Sequence, residues 1–212
     1  MNVNLHILDA KGRFAKQKET IRKNFEAAVE KVKQKLPIDN VDVTIFDNPE
    51  NVIPELGIVG YTPNAHEIQI TLDSIHPKFE KAINQHLAGT LAHEMHHIMR
   101  WRGPGYGKTL LEALVTEGLA DHFDLEVNRG EVPLWAKALT SKQLEELSQK
   151  AKQEWHNENY DHHAWFFGSK ERNIPRWTGY SLGFELVEKY LDANPSQKPS
   201  AIYNLEAEEF IL

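Results

Sequence analysis

The stretch Leu91-Ala92-His93-Glu94-Met95-His96-His97-Ile98-Met99 decides how this chain is read. Leu87, Leu91, Met95 and Ile98 or Met99 recur at three- and four-residue steps, so the segment from Pro77 to about Trp101 is expected to be a helix with that stripe buried. Residues four apart in a helix stand one turn apart on one face, so His93 and His97 aim both imidazoles at one point. At about 100° per residue, that face lies well away from the Leu91/Met95 stripe. The helix can therefore pack by one side and present ligands to a cleft by another. Glu94 sits beside the pair, whereas His96 falls on the wrong side and is expected to be packed or exposed.

Moving outward, Gly103, Pro104, Gly105 and Gly107 mark a loop, and Thr109-Leu110-Leu111-Glu112 has the capping-box form that opens a helix running to about Asn128. Two carboxylates on this helix compete to be a third metal ligand. Glu112 already has a role, because its position lets it reach back to the Thr109 amide. Glu117 lies among Leu114, Val115, Gly118, Leu119 and Ala120, where an unpaired carboxylate is costly to bury and a cation would offset that cost. Asp121, one turn later, could accept the second ring N–H of a ligand histidine; its alternative reading is ordinary surface charge.

Before this core, Phe14, Ile21, Phe25, Val29 and Val32 predict an amphipathic helix within Arg13 to Leu36. Val41 to Phe46, Ile58 to Tyr61 and Glu67 to Leu72 are β-branched stretches divided by Asn, Pro and Gly, the signature of a small sheet. Beyond Pro133, Thr140 with Gln143 opens a helix to about His156. A loop rich in aromatic residues and histidine follows, then a last helix from Thr178 to Leu191. Trp135, Trp155, Trp165 and Trp177 are expected to bury core area or line a cleft. The pattern is α+β, read as one domain in three parts: helix and sheet at about 1–75, metal-binding helices at about 78–129, and a helical part at about 134–212.

The 212 residues include 24 basic and 31 acidic side chains, a formal charge of −7 without a block of either sign. Nucleic acid is thereby disfavoured, since phosphate binding needs a concentrated basic face. With no cysteine, disulfides, thiolate metal sites and a cysteine nucleophile are excluded, and a transition metal must be held by His, Asp or Glu. Met1 to Phe14 lacks a secretory apolar segment, and no run of eighteen apolar residues occurs, so a cytoplasmic protein outside the membrane is expected.

HExxH, nineteen intervening residues, then Glu117 with Asp121 four later resembles the gluzincin metallopeptidases and has the ligand spacing of the thermolysin group. The wording around His93, with Glu117-Gly118-Leu119-Ala120-Asp121 and Gly179-Tyr180-Ser181-Leu182-Gly183, looks more closely like the YjaZ-like family of predicted zinc-dependent proteases, over residues 55 to 195. The resemblance implies a zincin-like fold with a small, mostly antiparallel sheet. It implies Zn2+ held by His93, His97 and Glu117, Glu94 as general base, and a peptide or protein substrate.

Three protein ligands leave a vertex for water, whose pKa falls toward about 7, and Glu94 would take its proton. Tyr180 is the expected oxyanion donor, ahead of His162, His163 and Arg176; the two histidines are otherwise expected to be solvent-exposed in their polar loop. The strand from His66 to Leu72 is expected to pair with extended substrate by β-augmentation. The competing functions are a non-catalytic zinc-binding interaction or stress-response domain, and a zinc hydrolase of a non-peptide amide.

Overall fold

The computed structural model describes residues 2–211, which fall into two compact units that divide between Trp101 and Arg102. The first opens with strand β1 (Val3–Leu8), followed by helix α1 (Lys18–Lys33), and then β2 (Val41–Asp47), β3 (Ile58–Asn64) and β4 (Glu67–Leu72). The sheet order is β1-β2-β4-β3. α1 is the crossover that lets β2 lie parallel to β1, because parallel neighbours need a connection long enough to return along the sheet. β2 and β4 are also parallel, and only β3 runs antiparallel, to β4. The sheet is therefore mixed and not mostly antiparallel. Periodicity reports which residues alternate, whereas strand direction depends on the connections.

β1 was not among the expected strands. Its burial alternates along Val3–Leu8, the mark of an edge strand covered on one face. β4 is central: Ile68, Ile70 and Leu72 are fully buried, and Thr71 on the opposite face is buried too. α1 contributes Ile21, Phe25, Ala28, Val29 and Val32 to the core, at the spacing read from the sequence. Burying each large apolar side chain stabilises the unit by roughly 1.5–3 kcal/mol.

The expected helix after Pro77 is present, but its first turns are not uniform. α2 (Phe79–Lys81) widens into a π-turn, Ala82–His86, before α3 (Leu87–Arg102). A π-turn displaces main-chain carbonyls from the regular ladder. The Asn24 side-chain amide of α1 donates to the Ile83 carbonyl at 3.0 Å and to Asn84 Oδ1 at 3.2 Å, tying α1 to this turn.

The second unit is helical: α4 (Leu110–Asn128), α5 (Ser141–Lys152), α6 (His162–Phe167) and α7 (Thr178–Ala193). Both expected capping boxes are formed, Thr109 with Glu112 and Thr140 with Gln143. α5 ends at Lys152, short of the expected His156. The aromatic, histidine-rich segment contains a short helix, α6, where a loop was expected; Asp161 caps it by accepting the Ala164 N–H at 2.9 Å.

α4 and α7 cross through glycine. A Cβ on Gly118 would overlap the Gly183 carbonyl, and a Cβ on Gly183 would overlap the Leu114 carbonyl. The two motifs that carried the family resemblance thus meet in space, with no side chain between their backbones. Leu114, Leu119, Leu182 and Val187 pack around this crossing together with Trp165 and Phe166. Among the described residues, no helix is long and apolar enough to cross a membrane.

Candidate metal centre

The helical reading of α3 places His93 and His97 one turn apart, and their Nε2 atoms lie 2.9 Å apart with the rings edge-on at 89°. Both nitrogens therefore face one point. Two ligands at about 2.0–2.1 Å in tetrahedral geometry would stand roughly 3.3 Å apart, close to this spacing. His96 is fully buried on another side of α3, the packed alternative of its expectation.

Glu94 is buried and sits in a cradle made by β3. The Thr62 hydroxyl lies 2.7 Å from Glu94 Oε2 and 3.1 Å from the Glu94 main-chain carbonyl. Two residues back on the same face, Gly60 has no side chain, and a Cβ there would come within 2.7 Å of the Glu94 carboxyl carbon. The carboxylate thus lies against bare strand backbone, with one oxygen occupied by Thr62. Neither residue stands in a recognisable motif; a glycine within a β-branched run, which often marks a close backbone approach, is the signal the sequence carries.

In the second unit, Glu117 is buried on α4, and the Tyr106 hydroxyl donates to Glu117 Oε1. Burial and then the Glu117 charge push the Tyr106 phenol well above its ordinary pKa, with Tyr180 and Tyr160 adding to the effect. The phenol therefore stays protonated and keeps its donor. Tyr106 lies in the glycine-rich loop, where no local pattern marks it as a partner of Glu117.

Tyr160 is raised to about 12 by burial and by Glu117, and its hydroxyl lies 2.9 Å from His162 Nδ1. His162 is half-buried, stacked on Phe166 at 4.4 Å, and burial lowers its pKa. The expectation of a solvent-exposed ring was wrong for His162, because α6 turns it onto the core; His163 is exposed as expected. Tyr180 stands in the first turn of α7, edge-on to Phe166 at 5.0 Å, and bears electrostatically on Tyr106. Arg176 is exposed, its guanidinium 3.9 Å from the Trp177 ring centroid.

Asp121 is fully buried, which excludes the surface-charge alternative. Trp135 Nε1 donates to its two oxygens at 3.0 and 3.1 Å. The Ser181 hydroxyl donates to the Trp135 carbonyl at 2.8 Å, so the second motif holds the tryptophan that holds Asp121.

One donor atom from each of His93, His97 and Glu117 lies within 4.8 Å of the others, a group that could hold a metal ion. Two imidazoles and a carboxylate, without thiolate, suit zinc.

Residues 21–212 match the model of the family described as "Predicted Zn-dependent protease (DUF2268)". The chain is also similar to the uncharacterized protein YjaZ of Bacillus subtilis (strain 168), 27% identical over 132 residues, 59% of this chain and 49% of the relative. It thus spans about half the length of that curated relative. No solved structure matches.

Proposed function

Because the chain belongs to the DUF2268 family of predicted zinc-dependent proteases, we propose that it is a gluzincin-type peptidase of zincin-like fold, with His93, His97 and Glu117 as zinc ligands and Glu94 as general base. The observation that carries this reading is the approach of those three donor atoms to within 4.8 Å, with Glu94 adjacent in sequence and cradled by β3. Zinc held there would lower the pKa of water and polarise a scissile carbonyl.

The chain's own residues divide the remaining work. Thr62 occupies Glu94 Oε2, leaving Oε1 to take a proton from the attacking water and pass it to the leaving amine. Tyr106 holds Glu117 Oε1 and so orients the other oxygen toward the metal. Tyr180 donates its phenolic proton to the oxyanion, the role expected from the sequence. Asp121, anchored by Trp135, acts as an outer-shell partner of a ligand histidine. In this reading 1–212 is one catalytic domain, and its address is cytoplasmic.

Substrate pairing belongs to β3 in this reading. β4, the strand expected from the sequence, is hydrogen-bonded on both sides, to β2 and to β3, so it has no edge to offer. β3 has β4 on one side only and carries the residues that touch Glu94. An extended peptide on β3 would lie beside the general base.

The test is metal analysis of the purified protein combined with cleavage of a mixed peptide library by wild type and Glu94→Gln. Zinc in both proteins and cleavage by wild type alone is the expected result. Equal cleavage by both would overturn the role of Glu94, and no cleavage by either would favour a zinc-binding domain without peptidase activity.

A further inference from the structure

The main-chain edge of β3 is closed at both ends. Asp73 N–H donates to the Gly57 carbonyl at 3.0 Å, in register with Ile58 opposite Leu72 and Tyr61 opposite Gln69. In an antiparallel pair, main-chain groups alternate between facing the partner and facing away. The Gly57 C=O and the N–H and C=O groups of Val59 and Tyr61 therefore turn to β4, the Gly57 N–H donating instead to the Ile53 carbonyl at 2.9 Å, and Ile58, Gly60 and Thr62 turn their groups to the outer edge. Two contacts agree: Ile53 N–H reaches the Ile58 carbonyl at 3.3 Å, and the Trp101 indole N–H reaches the Thr62 carbonyl at 3.1 Å. At Pro63 the register breaks between Tyr61 and Asn64, as a residue without an N–H requires.

The stretch of edge between these two contacts is thus short: the N–H and C=O of half-buried Gly60 and the N–H of buried Thr62. Ile53 closes one end and Trp101 the other. Trp101 stands near the end of α3, one turn beyond His97, with more than a third of its surface exposed. A surface tryptophan that takes the last acceptor of an edge strand also blocks any chain continuing past it.

Resting on the peptidase reading, we propose that Trp101 is a specificity-determining residue that limits β3 to a peptide segment of about three main-chain hydrogen bonds. The substrate class is then a short extended segment, such as a flexible terminus or excised peptide, and not a long strand. A role confined to protecting a sheet edge from aggregation would change solubility alone.

The experiment compares zinc-loaded wild type, Trp101→Phe and Trp101→Ala on two randomised, end-blocked libraries of four and eight residues. Trp101→Phe frees the Thr62 carbonyl, and Trp101→Ala removes the ring as well. The expected result is a rise of at least fivefold in the ratio of kcat/KM for eight-residue over four-residue peptides in Trp101→Ala, with a smaller rise in Trp101→Phe. An unchanged ratio in both variants overturns the proposal. Absence of cleavage by wild type on either library overturns the peptidase reading itself, a distinguishable outcome.

A second measurement does not need the Trp101 variants to fold. In full-length Glu94→Gln, adding the eight-residue library should slow amide exchange at Gly60 and Thr62 while the Trp101 indole N–H remains protected. Release of the indole N–H on peptide addition would overturn the assignment.

Discussion

Gly60 and Glu94 share a space that holds one side chain: a single carbon added to the glycine would press on the Glu94 carboxyl group. The carboxylate is the softer partner. Gly60→Ala should therefore fold and keep its metal while displacing Glu94, and a misplacement of about 1 Å can cost roughly 100-fold in rate. Zinc content together with kcat/KM on a cleaved library peptide checks this; an unimpaired Gly60→Ala enzyme would show that the cradle does not position the base.

Glu94→Gln keeps the shape of the side chain and removes its basicity. Hydrolysis should fall by about 10²–10⁴-fold with zinc retained. His93→Ala, His97→Ala and Glu117→Ala should instead lose the metal, as read by metal analysis after dialysis.

Tyr106→Phe deletes one hydroxyl from the Glu117 carboxylate. Outer-shell partners of this kind are worth about 10–100-fold in metal affinity. Competition with a chelator should show a loss in that range with the fold intact, whereas wild-type affinity would assign the hydrogen bond to packing alone.

Gly118→Ala and Gly183→Ala meet backbone and not a flexible side chain. Overpacking costs about 1–3 kcal/mol or more when the neighbour cannot give way, and each variant should melt well below wild type. A shift within a degree or two would mean that α4 and α7 can separate without cost.

Asp47 gives a pH signature remote from the proposed centre. Partial burial raises its pKa, but the Ser74 contacts and Arg13 outweigh it and hold the carboxyl below the usual range. Arg13 Nη1 donates to Oδ2 at 2.6 Å, and Ser74 N–H to Oδ1 at 2.9 Å. A depressed folded-state pKa stabilises above the unfolded value of about 3.9 and loses that contribution as pH falls through the folded value. Asp47→Asn should cost about 1 kcal/mol at pH 7 and show a smaller loss of stability below pH 4 in denaturant titrations.

Local pattern carried much of this architecture. The stripe of α3, the face of α1 and both capping boxes depend on neighbours within a turn, and all three were readable. The grouping of His93, His97 and Glu117 was readable because the two histidines share a helix and because Glu117, unlike Glu112, has no capping position. What escaped depends on distant segments. Strand direction follows from the crossover α1, and the edge position of β3 follows from β4 being inserted between it and β2. Tyr106 acquires meaning only when its loop returns to Glu117. His162 looked exposed because the six-residue helix that turns it onto Phe166 is too short to show a period.

The glycine crossing of α4 and α7 has one more consequence. Side chains at a helix contact act as adjustable cushions, and mutation can thin or thicken them in small steps. Here main chain rests on main chain, so α4 cannot roll by exchanging one residue for a slightly larger one. The bearing of Glu117, next to Gly118, is fixed by geometry that point mutation can break but not retune, whereas the loop that carries Tyr106 can still change the hydrogen bond on Glu117 Oε1.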